Sequence, residues 1–216
     1  MHGGITNPGF VAFVEALLEG RLKLGQTLRL EELCDILGMS LSPLREAITL
    51  LEAEGLIQVR KRLGVSIFYP DVKFVGGTFQ FRELLESEGL RRLSEGLPSA
   101  WIDDMLHAHA AIIELARCSR QPADFVTPVR ELEERFHGGF VAAFDNEQIT
   151  ANYQRLTQKM YLLRLLNPDA VNVVNTIRSM EEHLDIVVAL RDRDVERAIE
   201  ALHRHLKNVL HRLLTR

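Results

Sequence analysis

The sequence predicts a mainly α chain in two parts: a small N-terminal unit of short helices closed by a strand ribbon, then an all-α antiparallel helical bundle. Three observations predict it. Apolar residues recur about one helical turn apart through Phe10–Leu18, Leu30–Leu37 and Leu44–Leu56. The period switches to two at Ile57 and Val59, and again at Val65 and Ile67, around a basic turn of Arg60-Lys61-Arg62 with Gly64. From about Val72 onward every segment has helical period again and no second strand region follows. Tyr69-Pro70-Asp71 breaks the pattern between the two parts, which divides the chain into 1–70 and 71–216.

Taken in order, residues 1–8 lack periodicity and read as a loose tail. Phe10, Phe13, Val14, Leu17 and Leu18 then form an amphipathic helix ending near Gly20, and Leu22-Lys23-Leu24-Gly25 is a turn. Leu30, Leu33, Cys34 and Leu37 make a shorter helix closed by Gly38 as its C-cap. Ser42-Pro43 reads as the next helix start, with Ser42 as N-cap and Pro43 at the first helical position, and Gly55 ends that helix. Its apolar side is Leu44, Ile48, Leu51 and Leu56, which leaves Arg45 near the N-terminus on another side. Two short helices, a tight turn and a two-stranded wing make a winged helix-turn-helix, in which the second helix presents residues to the DNA major groove. The bundle helices are expected at 72–96, 99–118, 124–144, 146–166, 169–190 and 192–214. Gly96-Leu97-Pro98, Gln121-Pro122, Asp145-Asn146, Asn167-Pro168 and Asp192-Arg193-Asp194 separate them, with Pro98, Pro122 and Pro168 at helix starts.

Composition narrows the function. At 216 residues, 46% hydrophobic and 26% charged, the chain has the make-up of a soluble globular protein with ample length for a core. No apolar run approaches the roughly 20 residues that span a bilayer, the Met1-His2-Gly3-Gly4 start does not resemble a signal peptide, and Cys34 and Cys118 imply no disulfide framework. A cytoplasmic protein without a membrane partner follows. The net charge of −4 excludes a non-specific nucleic-acid binder, and residues 1–75 carry eight Lys/Arg against nine Asp/Glu. Arg45, Arg60, Lys61 and Arg62 nevertheless cluster where the helix tip and wing should converge, so a local patch can contact phosphates.

The helix-turn-helix wording is specific. Gly38-Met39-Ser40-Leu41-Ser42-Pro43-Leu44-Arg45-Glu46-Ala47, followed by Leu51-Glu52-Ala53-Glu54-Gly55-Leu56, resembles the signature of the GntR family of bacterial transcription regulators. Leu41 stands where that family usually has a DNA-contacting Arg, which puts the usual half-site preference in question. The resemblance implies a homodimer on a near-palindromic double-stranded DNA operator. Arg45 is then the candidate base contact, and Ser40, Ser42, Lys61 and Arg62 hold phosphates.

A second constellation lies in the bundle. Val126, Val129, Phe136, Phe140 and Phe144 define a buried stripe, with Glu133 and His137 one turn apart on or beside it. His183 sits at the edge of the Val173, Ile177, Met180, Leu184, Val187 face, and His205 shares the Ala198, Leu202, Leu206, Val209 face. Three histidines and one carboxylate facing inward from three helices can converge on one divalent metal, with zinc first and nickel, manganese or iron as alternatives. The plain alternative is a set of satisfied core histidines. His107, His109, His203 and His211 lack an acidic partner or a shared stripe and read as surface residues.

Residues 72–214 resemble the FCD ligand-binding domain of the FadR subfamily within GntR, through His137, Asn146, Glu182-His183 and His205, with Glu133 where Asp is usual. The resemblance implies a metal that, with the protein, holds a small organic acid effector, with Asn146 among the matching residues and Arg82 facing the effector. The other reading of Arg82 is an i, i+4 pair with Glu86. The function expected is a ligand-responsive repressor. Its rivals are a metal-dependent helical-bundle enzyme acting on a small acid, and the same regulator without a metal.

Overall fold

The computed structural model describes residues 7–167 and 170–215, which fall into two compact units, residues 1–73 and 74–216. Residues 1–6 of the expected tail, and the helix start expected at Pro168, lie outside the described residues.

In the first unit, helix α1 (Pro8–Leu18) begins where the tail was expected to continue. Asn7 Oδ1 accepts from the free N–H groups of Gly9 (3.0 Å) and Phe10 (3.1 Å), and Pro8 fills the first helical position. A short strand β1 (Thr27–Leu28) precedes α2 (Leu30–Leu37), which Gly38 closes in the left-handed conformation at φ 64°. Helix α3 (Leu41–Ala53) starts two residues before the expected Pro43: Ser40 is the N-cap residue and Ser42 lies in the first turn. Pro43 is therefore third in the helix rather than first. It forfeits nothing, because the first N–H to find an intrahelical acceptor is that of Leu44, bonded to Ser40 O at 3.3 Å.

The wing is β2 (Ile57–Arg60) and β3 (Gly64–Ile67), antiparallel, with Ile57 opposite Ile67 and Arg60 opposite Gly64. The two-stranded ribbon expected from sequence is a three-stranded sheet in the order β1-β3-β2, because Thr27 and Leu28 pair with Ser66 and Val65. Gly64, at φ 107°, makes this possible, since a Cβ there would run into the Leu28 carbonyl. Glu52 of α3 accepts from the Val59 N–H at 2.9 Å, which ties the helix to the outer strand. Phe13, Leu33, Leu44, Leu51 and Val65 are the fully buried core of this unit.

The second unit is helical throughout its described residues: α4 (Val72–Glu95), α5 (Ser99–Cys118), α6 (Val126–Ala142), α7 (Glu147–Leu163), α8 (Val173–Arg191) and α9 (Val195–Leu214), with single 3₁₀ turns at Pro122–Asp124 and Arg164–Leu166. Helix α8 packs against both α5 and α9. Phe125, Phe136, Phe140, Leu90, Met105, Met180 and Leu202 form the core. Helix α4 lies tight against α6 at Gly89, where a Cβ would overlap the Phe140 carbonyl. That approach places the next turn of α4 against His137.

Candidate metal centre and DNA-reading helix

Four buried imidazoles meet at the middle of the helical unit. His137 comes from α6, His183 from α8 and His205 from α9, and one ring nitrogen of each lies within 4.8 Å of the other two. The Nε2 atom of His183 is 3.2 Å from Nε2 of His137 and 3.1 Å from Nε2 of His205. His183 was expected at the edge of its helix face. It sits instead at the centre of a stripe of Thr176, Met180, Ile186, Val187 and Leu190, fully buried and stacked on Phe136 at 4.5 Å.

Each of the three rings has its other nitrogen occupied. His137 Nδ1 lies 2.8 Å from Glu86 Oε2, and His205 Nδ1 lies 2.7 Å from Glu182 Oε2. A carboxylate only accepts, so both Nδ1 atoms carry the proton. His183 Nδ1 lies 3.1 Å from Nε2 of a fourth ring, His109, whose own Nδ1 donates to Met105 O at 2.6 Å. A neutral His109 has its single proton on Nδ1, so its Nε2 accepts from His183. With the rings neutral, all three Nε2 atoms face one another with bare lone pairs. That arrangement is repulsive on its own, and a cation held between the three would relieve it. Nitrogens bound to one zinc at about 2.0–2.1 Å stand about 3.3–3.4 Å apart in a tetrahedral shell, and the separations of 3.2 and 3.1 Å along two edges come close to that spacing.

The electrostatics agree. Burial, then the neighbouring His205 and His137, pushes His183 well below the usual imidazole range, and burial lowers His205 against the pull of Glu182. Burial pushes His109 down to about 4. These three rings are neutral near pH 7, the form that binds metal.

Around the cluster lie three acid–guanidinium pairs. Arg82 donates from Nε to Glu86 Oε1 at 2.5 Å, and the Tyr153 hydroxyl donates to the same oxygen at 2.6 Å. Burial alone would raise the Glu86 carboxyl, but Arg82 and His137 outweigh it and hold it far below the carboxylate range. Arg212 donates to both oxygens of Glu182 at 2.9 Å; burial opposes, but this pair and His205 lower Glu182 to about 2. Arg164 donates to Glu133 at 3.1 Å. Burial favours a neutral Glu133, yet Arg164, then His137 and His205, keep it ionised.

Glu133 thus stands half-buried one turn from His137, its carboxylate directed to Arg164 and outside the nitrogen cluster. Arg82 is 6% exposed and engaged by Glu86, as its i, i+4 reading expected. Asn146 is exposed, and its Oδ1 caps α7 by accepting from the Gln148 and Ile149 N–H groups. His107 and His211 are exposed, but the surface assignment fails for His109, which is fully buried. His203, half-buried, has partners after all: Ser87 Oγ at 2.8 Å and Glu83 at 3.6 Å. The sequence signal for His109 was present, because Met105, His109, Ile112, Ile113 and Ala116 share one buried stripe of α5. Glu182 as the partner of His205, and Tyr153, were not anticipated.

A pocket of about 100 Å³ opens beside the cluster, lined among others by Glu133, Ser179, Val209, Arg164 and Arg212. Glu133, Ser179 and Val209 each lie four residues, one helical turn, from His137, His183 and His205 respectively.

In the first unit, Ser40, Ser42 and Arg45 at the start of α3, and Lys61 and Arg62 in the wing turn, are all exposed. Leu41 is 40% exposed at the first position of the helix. The side of α3 carrying Arg45 is open, while Leu44, Ala47, Ile48 and Leu51 bury the other.

Comparison with known proteins decides the family. The FCD domain model matches residues 78–208, and the model of bacterial regulatory proteins of the gntR family matches residues 12–67. The chain belongs to the GntR regulators that carry an FCD domain. A probable D-xylose utilization operon transcriptional repressor of Paenarthrobacter nicotinovorans is 27% identical over 203 residues, covering 89% of this chain and 81% of that protein. Among solved structures, E. coli McbR/YncC superposes with a TM-score of 0.71 at 16% identity, covering 97% of this chain and 98% of that one. The Zn2+-bound FCD domain of TM0439 superposes with a TM-score of 0.51 at 24% identity, covering 68% and 95%. This GntR protein is a DNA-binding transcription regulator, and its relatives are regulators rather than enzymes, which removes the metal-dependent enzyme reading. Among the described residues no helix is long and apolar enough to cross a membrane.

Proposed function

We propose that this GntR regulator is a cytoplasmic, homodimeric repressor whose FCD domain holds one divalent metal ion and a small organic acid. The observation that carries the reading is the set of three buried Nε2 lone pairs, 3.1–3.2 Å apart along two of the three edges, each ring fixed by a partner on Nδ1. His137, His183 and His205 would hold the ion. Glu133, one turn from His137, would complete the protein ligands by turning away from Arg164. Zinc is the first candidate because neutral imidazoles suit it, and nickel, manganese and iron accept the same donors.

Charge supports an acid effector. The carboxylates of Glu86, Glu182 and Glu133 each already face a guanidinium. A divalent ion therefore adds charge that these pairs do not offset, and an anionic ligand supplies the balance. The adjoining pocket has Arg164 and Arg212 in its lining, which offer donors matched to a carboxylate. Arg82 and Asn146, engaged elsewhere, are not assigned to the effector.

On the DNA side, Arg45 is the candidate for guanine O6/N7, and Ser40, Ser42, Lys61 and Arg62 for phosphates. Leu41 offers methyl groups rather than donors, which suits a thymine methyl. The effector changes operator affinity only as far as it prefers one arrangement of the protein.

Elemental analysis of protein purified without chelator or a metal-affinity tag tests the metal reading. About one equivalent of divalent metal per chain is expected in the wild type, and almost none in the His183→Ala, His205→Ala double variant. Metal-free wild type that also fails to take up added zinc would overturn it.

A further inference from the structure

Of the three rings that face the centre, two are fixed by carboxylates and one is not. His183 donates its Nδ1–H to Nε2 of His109, a residue outside the three-ring cluster. His109 is fully buried, clasped between the Met105 carbonyl on its own helix and His183 on α8, with Phe136 edge-on at 5.0 Å. We propose that His109 is a positioning residue for the metal centre: a neutral imidazole, locked in the Nδ1–H form by the Met105 carbonyl, that holds His183 in the tautomer whose Nε2 is free to bind. This rests on the metal reading above and adds to it a relay, Met105 O to His109 to His183, running between α5 and α8.

The chemistry makes the relay consequential. Without an acceptor at Nδ1, His183 would do better to move its proton to Nε2, where it could bond to the bare Nε2 of His137 or His205 at 3.1–3.2 Å. The apo cluster would then close on itself, and a metal would first have to displace that proton. A carboxylate at position 109 could also accept the proton, but it would add a negative charge in a fully buried site. The imidazole accepts and stays uncharged, so the fixed charge around the centre remains balanced. Removing outer partners of metal-bound histidines typically weakens metal binding 10–100-fold.

The test uses the full chain, labelled with ¹⁵N in its histidines and kept metal-free, with the imidazole nitrogens read by long-range ¹H–¹⁵N correlation. In the wild type, His183 is expected to show a protonated Nδ1 and a bare Nε2, and His109 a bare Nε2. In His109→Leu the His183 proton should move to Nε2. In His109→Gln, whose Oε1 can accept, it should stay on Nδ1. Zinc affinity, measured against a chromophoric chelator, should fall about 10–100-fold in His109→Leu and recover to within a few-fold in His109→Gln. A wild-type spectrum with the His183 proton on Nε2 overturns the proposal, and so does a folded His109→Leu whose His183 tautomer is unchanged. If His109→Leu fails to fold, the wild-type and His109→Gln spectra decide it. The expected tautomers in a wild type that takes up no zinc would sink the metal reading and leave the relay standing.

Discussion

Glu86 illustrates how a single side chain is fixed by neighbours that sequence spacing does not connect. Its carboxylate binds Arg82 four residues before it, Tyr153 from α7 and His137 from α6, all in a fully buried site. A buried acid of this kind is tolerated because every oxygen lone pair has a donor. The neighbouring histidines carry the opposite risk, since acid protonates them. In the metal-free protein His109, His183 and His205 all titrate below their ordinary value. The unfolded chain takes up those protons below pH about 6.5 while the folded one resists, so stability is complete above that pH and declines below it. For His109 alone, a drop from 6.5 to about 4 corresponds to about 3 kcal/mol lost by pH 4. Glu182, held near 2, adds a further loss only below about pH 4.5. Urea melts in chelator at pH 7.5, 6 and 5 should show falling midpoints; a stability maximum near pH 5 would contradict neutral buried imidazoles. In the DNA-reading helix, replacing Arg45 by Ala should cost about 1–3 kcal/mol of operator binding and relax preference at one base position. Mobility shifts on a duplex selected by the wild type would measure it, and an unchanged affinity would remove Arg45 from the base contacts.

Whole elements are placed by close approach as much as by apolar stripes. The helix pattern of the second unit was legible because long segments such as 99–118 keep one period between clear breakers, and α5 spans those residues. Strand β1 was not legible: two residues, Thr27 and Leu28, carry no period, and they become a strand only because Gly64 lets β3 come near. The start of α3 was misjudged by two residues because Ser40 and Ser42 are both good caps, and only the backbone decides between them. The inward histidines of α6, α8 and α9 could be read from helical spacing. Their partners could not, since Glu86 and His137 stand 51 residues apart and meet only where Gly89 admits α6. Glycines at two positions of α4 make this testable. Gly76 has open space around its missing Cβ, so Gly76→Ala should stabilise by about 1 kcal/mol through helix propensity. Gly89→Ala gains the same propensity but forces α4 from Phe140, and should destabilise by a net 1–2 kcal/mol or so. Chemical denaturation of both variants measures the contrast; stabilisation by Gly89→Ala would mean that the contact with α6 is not tight.

At the scale of the molecule, two units with different chemistry share one chain. The first carries its cations, Arg45 and the Arg60–Arg62 turn, on exposed surface, as a phosphate-contacting module requires despite a net charge of −4. The second buries a cluster of paired titratable groups, Arg82, Glu86, His109, His137, His183 and His205, at its core. The family membership that joins them was legible in two stretches, the Gly38–Leu56 signature and the spaced histidines, and the two family models match residues 12–67 and 78–208 around them. The most direct measurement is anomalous diffraction from crystals of the full chain grown with equimolar zinc and no chelator, collected on both sides of the zinc edge. One peak per chain is expected among His137, His183 and His205, about 2.0–2.1 Å from each Nε2, with His183 Nδ1 still bonded to His109. Ordered rings with no peak between them, and zinc found only at exposed side chains, would contradict a metal centre in this domain.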